Sequence, residues 1–195
     1  MKKIFLVLLL GALVAIPVLA NATLINLGYN VLRYSEDYSE RGIGPVFTFL
    51  AGQQSGFYAQ LAPFYSTSWK WFDTVVKYGD NPDLYGGGLS FTLGYGRDFN
   101  FGEMGVLVGG GLFVLGFAWV DTYWEDFGAD LGFGPGGGAH FYFKPGEGRL
   151  ILNAGLDVAW RPVYAWGSDD AGYGGFEFEK GNSNVNLNAG IGFRR

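Results

Sequence analysis

The sequence predicts an all-β protein, an eight-stranded antiparallel up-and-down transmembrane β-barrel, and three observations point there. The first is two-faced alternation, clearest over 184–193. There Val185, Leu187, Ala189, Ile191 and Phe193 take one parity, and Asn184, Asn186, Asn188, Gly190 and Gly192 the other. Successive side chains of a strand point to opposite faces, so this segment carries one apolar face and one small, polar face, as a membrane-crossing strand does. The second is connection length, which goes long, short, long along the chain, as it does when one rim faces the cell exterior and the other carries tight turns. The third is an export signal at the N-terminus.

That signal comprises Lys2 and Lys3, an uncharged apolar run from Ile4 to Ile16, then Pro17 and a small-residue end at Val18–Ala22. This is the build of a secretory signal peptide, and the run is shorter than the roughly 20 apolar residues of a membrane-spanning helix. Domain organisation is therefore read as a leader over 1–22 and a barrel over 23–195, with cleavage after Ala22 and Ala20 as the second site. The chain has no Cys, which excludes a lipoprotein anchor, a disulfide framework and a thiolate metal site. Aromatic residues make up 18%, charged residues only 16%, and Gly occurs 34 times. That balance suits strands with lipid on one side and a crowded lumen on the other. The formal charge of −5 becomes −7 without Lys2 and Lys3, which leaves 11 basic against 18 acidic residues and argues against a nucleic-acid partner.

The first strand is read from Ile25, Leu27, Tyr29 and Val31 alternating with Asn26, Gly28 and Asn30. A charged connection over 34–42 leads to a second strand, 43–51, whose alternation is weak, and the turn 52–56 to a third, 57–68. After a long connection, 69–85, Leu89, Phe91, Leu93 and Tyr95 define the fourth strand, followed by a short link over 97–103. The uncharged stretch 104–120 could be taken for a membrane helix. Its five glycines, each costing a helix about 1 kcal/mol relative to Ala, favour a long fifth strand instead. An acidic connection, 121–130, precedes the sixth strand, 131–143; the turn 144–148 carries Pro and Gly as tight turns do. The seventh strand places Leu150, Leu152, Leu156, Val158 and Trp160 towards lipid, against Asn153, Asp157 and Arg161 towards the lumen. The longest connection, 162–183, leads to the last strand, where Val185, Leu187, Ile191 and Phe193 face lipid and Asn186 and Asn188 the lumen. Pro45, Pro63 and Pro135 strain this scheme: a closed barrel has no edge at which a missing N–H is harmless, so each calls for a bulge or a place at the membrane boundary.

With these features the chain resembles the small eight-stranded outer-membrane barrels of the OmpX, OmpW and OmpA-domain type found in diderm bacteria. Such barrels end in a signal read by the barrel-assembly machinery: a polar residue, a Gly, then spaced hydrophobics closing on an aromatic. Asn186, Ile191 and Phe193 match it, Asn188 stands where Gly is usual, and Arg194 and Arg195 follow the aromatic. The resemblance implies outer-membrane lipids and the assembly machinery as partners, no cofactor, and either a structural or surface-contact role or an OmpW-like narrow passage for small hydrophobic molecules. A soluble periplasmic ligand-binding barrel is a third reading, and it requires wettable residues between Leu150, Leu152, Leu156 and Trp160.

Little chemistry is offered. His140 is the sole histidine and shares the lumen parity with Arg149, Asn153, Asp157 and Arg161; the expected outcome is an ion-paired plug, since buried charges need partners. Nucleophilic catalysis needs a hydroxyl within reach of a base. The lipid A deacylases, which the architecture is similar to, place Ser two residues after His, where this chain has Tyr142. No catalytic residue, cofactor site or metal site is assigned, and the chain is not read as an enzyme. Gly132, Gly134 and Gly137 fit G-x-G-x-x-G by accident, with no strand before and helix after to make a nucleotide site. Acidic and aromatic residues crowd the long connections (Glu36, Asp37, Asp73, Asp126, Trp69, Trp124, Trp166), where they make a solvated surface, with the aromatics as outer girdle or as contact surface for a surface ligand.

Overall fold

The structure, a computed structural model, describes residues 20–80, 83–123, 125–168, 173–178 and 182–194. The leader expected over 1–22 lies outside the described residues except for Ala20–Ala22, as do Trp124, Asp169 and Asp170. The strands are β1 (Ala22–Arg33), β2 (Tyr38–Ala51), β3 (Ser55–Trp71), β4 (Thr74–Lys77), β5 (Leu84–Asn100), β6 (Met104–Asp121), β7 (Asp126–Phe143), β8 (Leu150–Trp160), β9 (Val163–Ser168), β10 (Tyr173–Phe178) and β11 (Ser183–Arg194). Eight of them, all antiparallel, run around one closed barrel in the order β1-β2-β3-β5-β6-β7-β8-β11. Closure is made by β1 and β11, paired from Ala22↔Arg194 to Arg33↔Ser183. β4 adds to the upper end of β3, and β9 and β10 form a hairpin that continues β8 above the rim.

The long uncharged stretch is strand β6, paired with β5 and β7 from end to end. The strands reach further towards the outward rim than alternation shows: β2 starts at Tyr38, β5 at Leu84 and β7 at Asp126. Above the membrane both faces of a strand meet water, so the hydrogen-bonded ladder continues where the apolar face has ended. The outward connections of β1–β2 and β6–β7 shrink accordingly to 34–37 and 122–125. At the opposite rim the turn 52–54 is tight; Gly52 has φ +131°, a conformation open to glycine.

The prolines sit at lapses in the ladder. β2 and β3 pair at Ile43↔Tyr65 and again at Phe47↔Leu61 in one register, so Pro45 and Pro63 face each other across the unpaired interval. Two missing N–H groups thus share one gap, while the other edges stay paired through Leu27↔Pro45 and Pro63↔Leu89. Pro135 lies where β7 changes partner, between Phe133↔Val163 on β9 and Gly136↔Ala159 on β8, opposite the break at Arg161 and Pro162. A bulge at Thr67, whose hydroxyl donates to Arg41 O at 3.2 Å, shifts the register of β3 at the upper rim.

Candidate functional site

The chemistry-bearing residues converge on the barrel interior, which is filled in tiers. At the inward rim, where β1 starts and β11 ends, Arg194 reaches across to β5. Its guanidinium lies 3.0 Å from Asp98 Oδ2 and donates to the Tyr142 hydroxyl at 2.9 Å, and that hydroxyl donates to Asp98 Oδ1 at 2.6 Å. Since β11 and β5 stand on opposite sides of the ring, this brace spans the mouth. Apolar packing backs it, from Leu24 and Ile151 with Tyr142 and from Ala22, Leu50, Tyr58 and Leu107.

The middle tier is polar. Asn188 Nδ2 donates to Asp157 Oδ2 at 2.6 Å and to Asn186 Oδ1 at 3.2 Å. Asn26 Nδ2 donates to Asn153 Oδ1 at 2.7 Å and to Asn188 Oδ1 at 2.5 Å, and Asn186 Nδ2 donates to Asn30 Oδ1 at 2.7 Å. His140, wholly buried, places Nε2 3.1 Å from Asp157 Oδ1. Glycines make the room: a Cβ at Gly155 would overlap His140 Nδ1, and one at Gly138 would overlap Asp157 Oδ1. Beside the network is a void of about 10 Å³ lined by Gln60, Ser90, Thr92, Asp157 and Asn184, among others. That is space for about one water.

Above this lies an apolar tier of Leu32, Phe64, Phe113, Leu115 and Phe117, with Phe64 and Phe117 stacked at 6.2 Å. The outward mouth closes over it. Arg161 is fully buried with its guanidinium 4.9 Å above the Tyr34 ring and Asp130 as its electrostatic partner, an arrangement in which a cation–π contact contributes about 0.5–2 kcal/mol. Glu40 is buried among the hydroxyls of Tyr78, Ser66 and Tyr38. Tyr78 comes from the short 3-10 turn Tyr78–Asp80 in the β4–β5 connection; burial, and after it the Glu40 carboxylate, push its hydroxyl pKa up.

Of the expected lumen residues, His140, Asn153, Asp157, Asn186 and Asn188 come together in the middle tier. Arg161 is inside but a tier higher, with Tyr34 and Asp130 rather than with Asp157 and His140: four residues along an extended strand is about 13 Å, too far for an ion pair. Arg149 corrects the expectation outright. It precedes β8 in an exposed turn, where its carbonyl accepts from Arg194 N at 2.9 Å, because the strand parity it was read on has not yet begun. Leu150, Leu152, Leu156, Val158, Trp160, Val185, Leu187, Ile191 and Phe193 stand on the outer surface, 37–57% exposed. Asp98 and Glu40 were legible only as parts of connections; Asn26 and Asn30 had a signal, being the polar parity of the first strand.

This fold is that of the small eight-stranded outer-membrane barrels. The chain is similar in structure to neisserial surface protein A, with 12% sequence identity and a TM-score of 0.58, covering 89% of this chain and 96% of that one. It is similar also to the outer membrane protein OprG of Pseudomonas aeruginosa, with 15% identity and a TM-score of 0.51, over 90% of this chain and 97% of the other. No protein-family model matches the sequence, and no curated protein matches it.

Proposed function

We propose that the chain is an integral outer-membrane barrel with a closed lumen, acting as a structural or surface-contact protein through the acidic, aromatic-rich connections at its outward rim. One observation carries the reading: the polarity is inverted relative to a soluble barrel, with apolar side chains 37–57% exposed outside and an Asn-Asp-His network buried inside. Water-facing walls of Leu, Val, Trp and Phe would leave a soluble barrel with an apolar belt far beyond the few hundred Å² usual for a monomer. The passage alternative is disfavoured by side chains that meet across the interior, Asn26 with Asn153 and Asn188 and Arg194 with Asp98, and the void beside the Asn network, about 10 Å³, has space for about one water. His140 Nε2 lies 3.1 Å from Asp157 Oδ1, and the Tyr142 hydroxyl is turned to Asp98, so His140 and Tyr142 form no base–nucleophile pair with each other. The partners implied are outer-membrane lipids and the barrel-assembly machinery, and the leader would direct export and be cleaved.

The test is refolding of the mature chain in detergent. A β-rich circular-dichroism spectrum, a gel mobility that changes on boiling, and no steady single-channel conductance in planar bilayers are expected. A stable open channel would replace the closed-lumen reading with the passage, and solubility in plain buffer without a mobility shift would replace it with the soluble barrel.

A further inference from the structure

On the outer wall at the inward rim, an apolar cleft of about 510 Å³ crosses β6, β7 and β8. Met104, Val106, Phe141, Phe143, Leu152 and Ala154 line it, and Phe101 closes it from the turn between β5 and β6. Met104, Phe101 and Phe141 are 62–71% exposed, so nothing in the barrel covers it. Beside Phe101 stands a cation. Lys144 follows the end of β7, and its ammonium is held over the same turn by donating to Gly102 O at 3.1 Å and Asn100 Oδ1 at 3.4 Å. Its backbone N–H donates to Glu103 O at 2.6 Å, tying the two inward turns together. An ammonium has three donors, and these two acceptors leave one for a ligand.

Resting on the outer-membrane reading above, we infer that this cleft is a site for one glycerophospholipid of the inward leaflet, an acyl chain lying in the cleft and the phosphate meeting Lys144. The charge complementarity is local: the cation is pinned on Asn100 and Gly102, the two residues flanking the Phe101 that closes the slot, and the ester-linked phosphate of a phospholipid sits at the boundary of its acyl chains with water. A diacylglycerol shares the chains but lacks the anion. The site therefore distinguishes the two by a single charge-assisted hydrogen bond, whose loss corresponds to a factor of about ten in affinity.

The experiment is native mass spectrometry of the refolded barrel in detergent, offered equimolar phosphatidylglycerol and diacylglycerol with identical acyl chains. Expected is a phospholipid adduct favoured about tenfold over the diacylglycerol. Lys144→Gln should abolish that preference while leaving apolar binding, and Ala154→Trp should lower both adducts by filling the cleft. No preference in the wild type, a preference that survives Lys144→Gln, or undiminished adducts on Ala154→Trp would each overturn the site. Every sample is also run on gels with and without boiling. A barrel that shifts normally but shows no selective adduct overturns this site alone, whereas a chain that never forms a heat-modifiable barrel overturns the outer-membrane reading and this site with it.

Discussion

Asp157 is the residue whose removal most directly probes the filled lumen. Its carboxylate accepts from Asn188 Nδ2 at 2.6 Å and lies 3.1 Å from His140 Nε2, and both partners are buried. Asp157→Ala deletes the hydrogen bond from Asn188 and the close approach to His140, which lacks hydrogen-bond geometry. A hydrogen bond to a charged group contributes about 1.5–3 kcal/mol, so the Asn188 bond sets an upper bound of about 3 kcal/mol. The bound is not reached. The adjoining void of about 10 Å³ joins the space left by the carboxylate, and water entering there re-pairs part of what is lost. A destabilisation of about 1–2 kcal/mol is therefore expected in urea unfolding of the barrel from lipid vesicles, with the slope unchanged. Asp157→Asn, which keeps one acceptor oxygen, should lose about half as much. Asn188→Ala combined with Asp157→Ala should fall short of additivity by about 0.5–3 kcal/mol, because the two side chains share a bond. A loss for Asp157→Ala below about 0.5 kcal/mol, the scale of an ordinary surface change, would refute the view that this network holds the lumen closed.

Other perturbations test other tiers. Leu156 is paired between Leu187 and Ala139 and 46% exposed at the middle of β8, so Leu156→Arg should cost about 2–4 kcal/mol of insertion free energy in vesicle-folding assays; normal insertion would reverse the inside–outside assignment. Arg194→Ala leaves the Asp98 carboxylate, with 2% of its side chain exposed, held by Tyr142 alone. A loss of about 1–3 kcal/mol is expected in the same unfolding assay, below the full figure for a broken buried pair because Arg194 itself remains partly exposed, and an unchanged midpoint would remove the brace from the account. Ala22 already belongs to β1, paired with Leu50 and Arg194, and Asn21 N donates to Leu50 O at 2.8 Å. Intact mass of the exported protein decides between the two sites: a chain beginning at Asn21 is expected if the whole of β1 belongs to the mature barrel, and a chain beginning at Thr23 would show the cut after Ala22 and refute that expectation.

Much of this architecture was readable from residue order, for a physical reason: a strand between lipid and a polar lumen must alternate, and period two survives translation into sequence without any knowledge of neighbours. Asn186 and Asn188 against Leu187 and Ile191 announce their faces one strand at a time. So do Asn153 and Asp157 against Leu152 and Leu156. Alternation says nothing once both faces are wet, which is why Tyr38, Leu84 and Asp126 were read as connection when the ladder already includes them. Partnership was likewise out of reach, because it depends on stagger around the ring. Asn26 meets Asn153 and Asn188 across 127 and 162 positions of sequence, and Arg161 shares a parity with Asp157 yet stands beside Tyr34. Asp98 was read within a short link and Arg194 as a charge trailing the last aromatic; closing the sheet into a ring set them on opposite walls of one mouth and turned two rim charges into a brace.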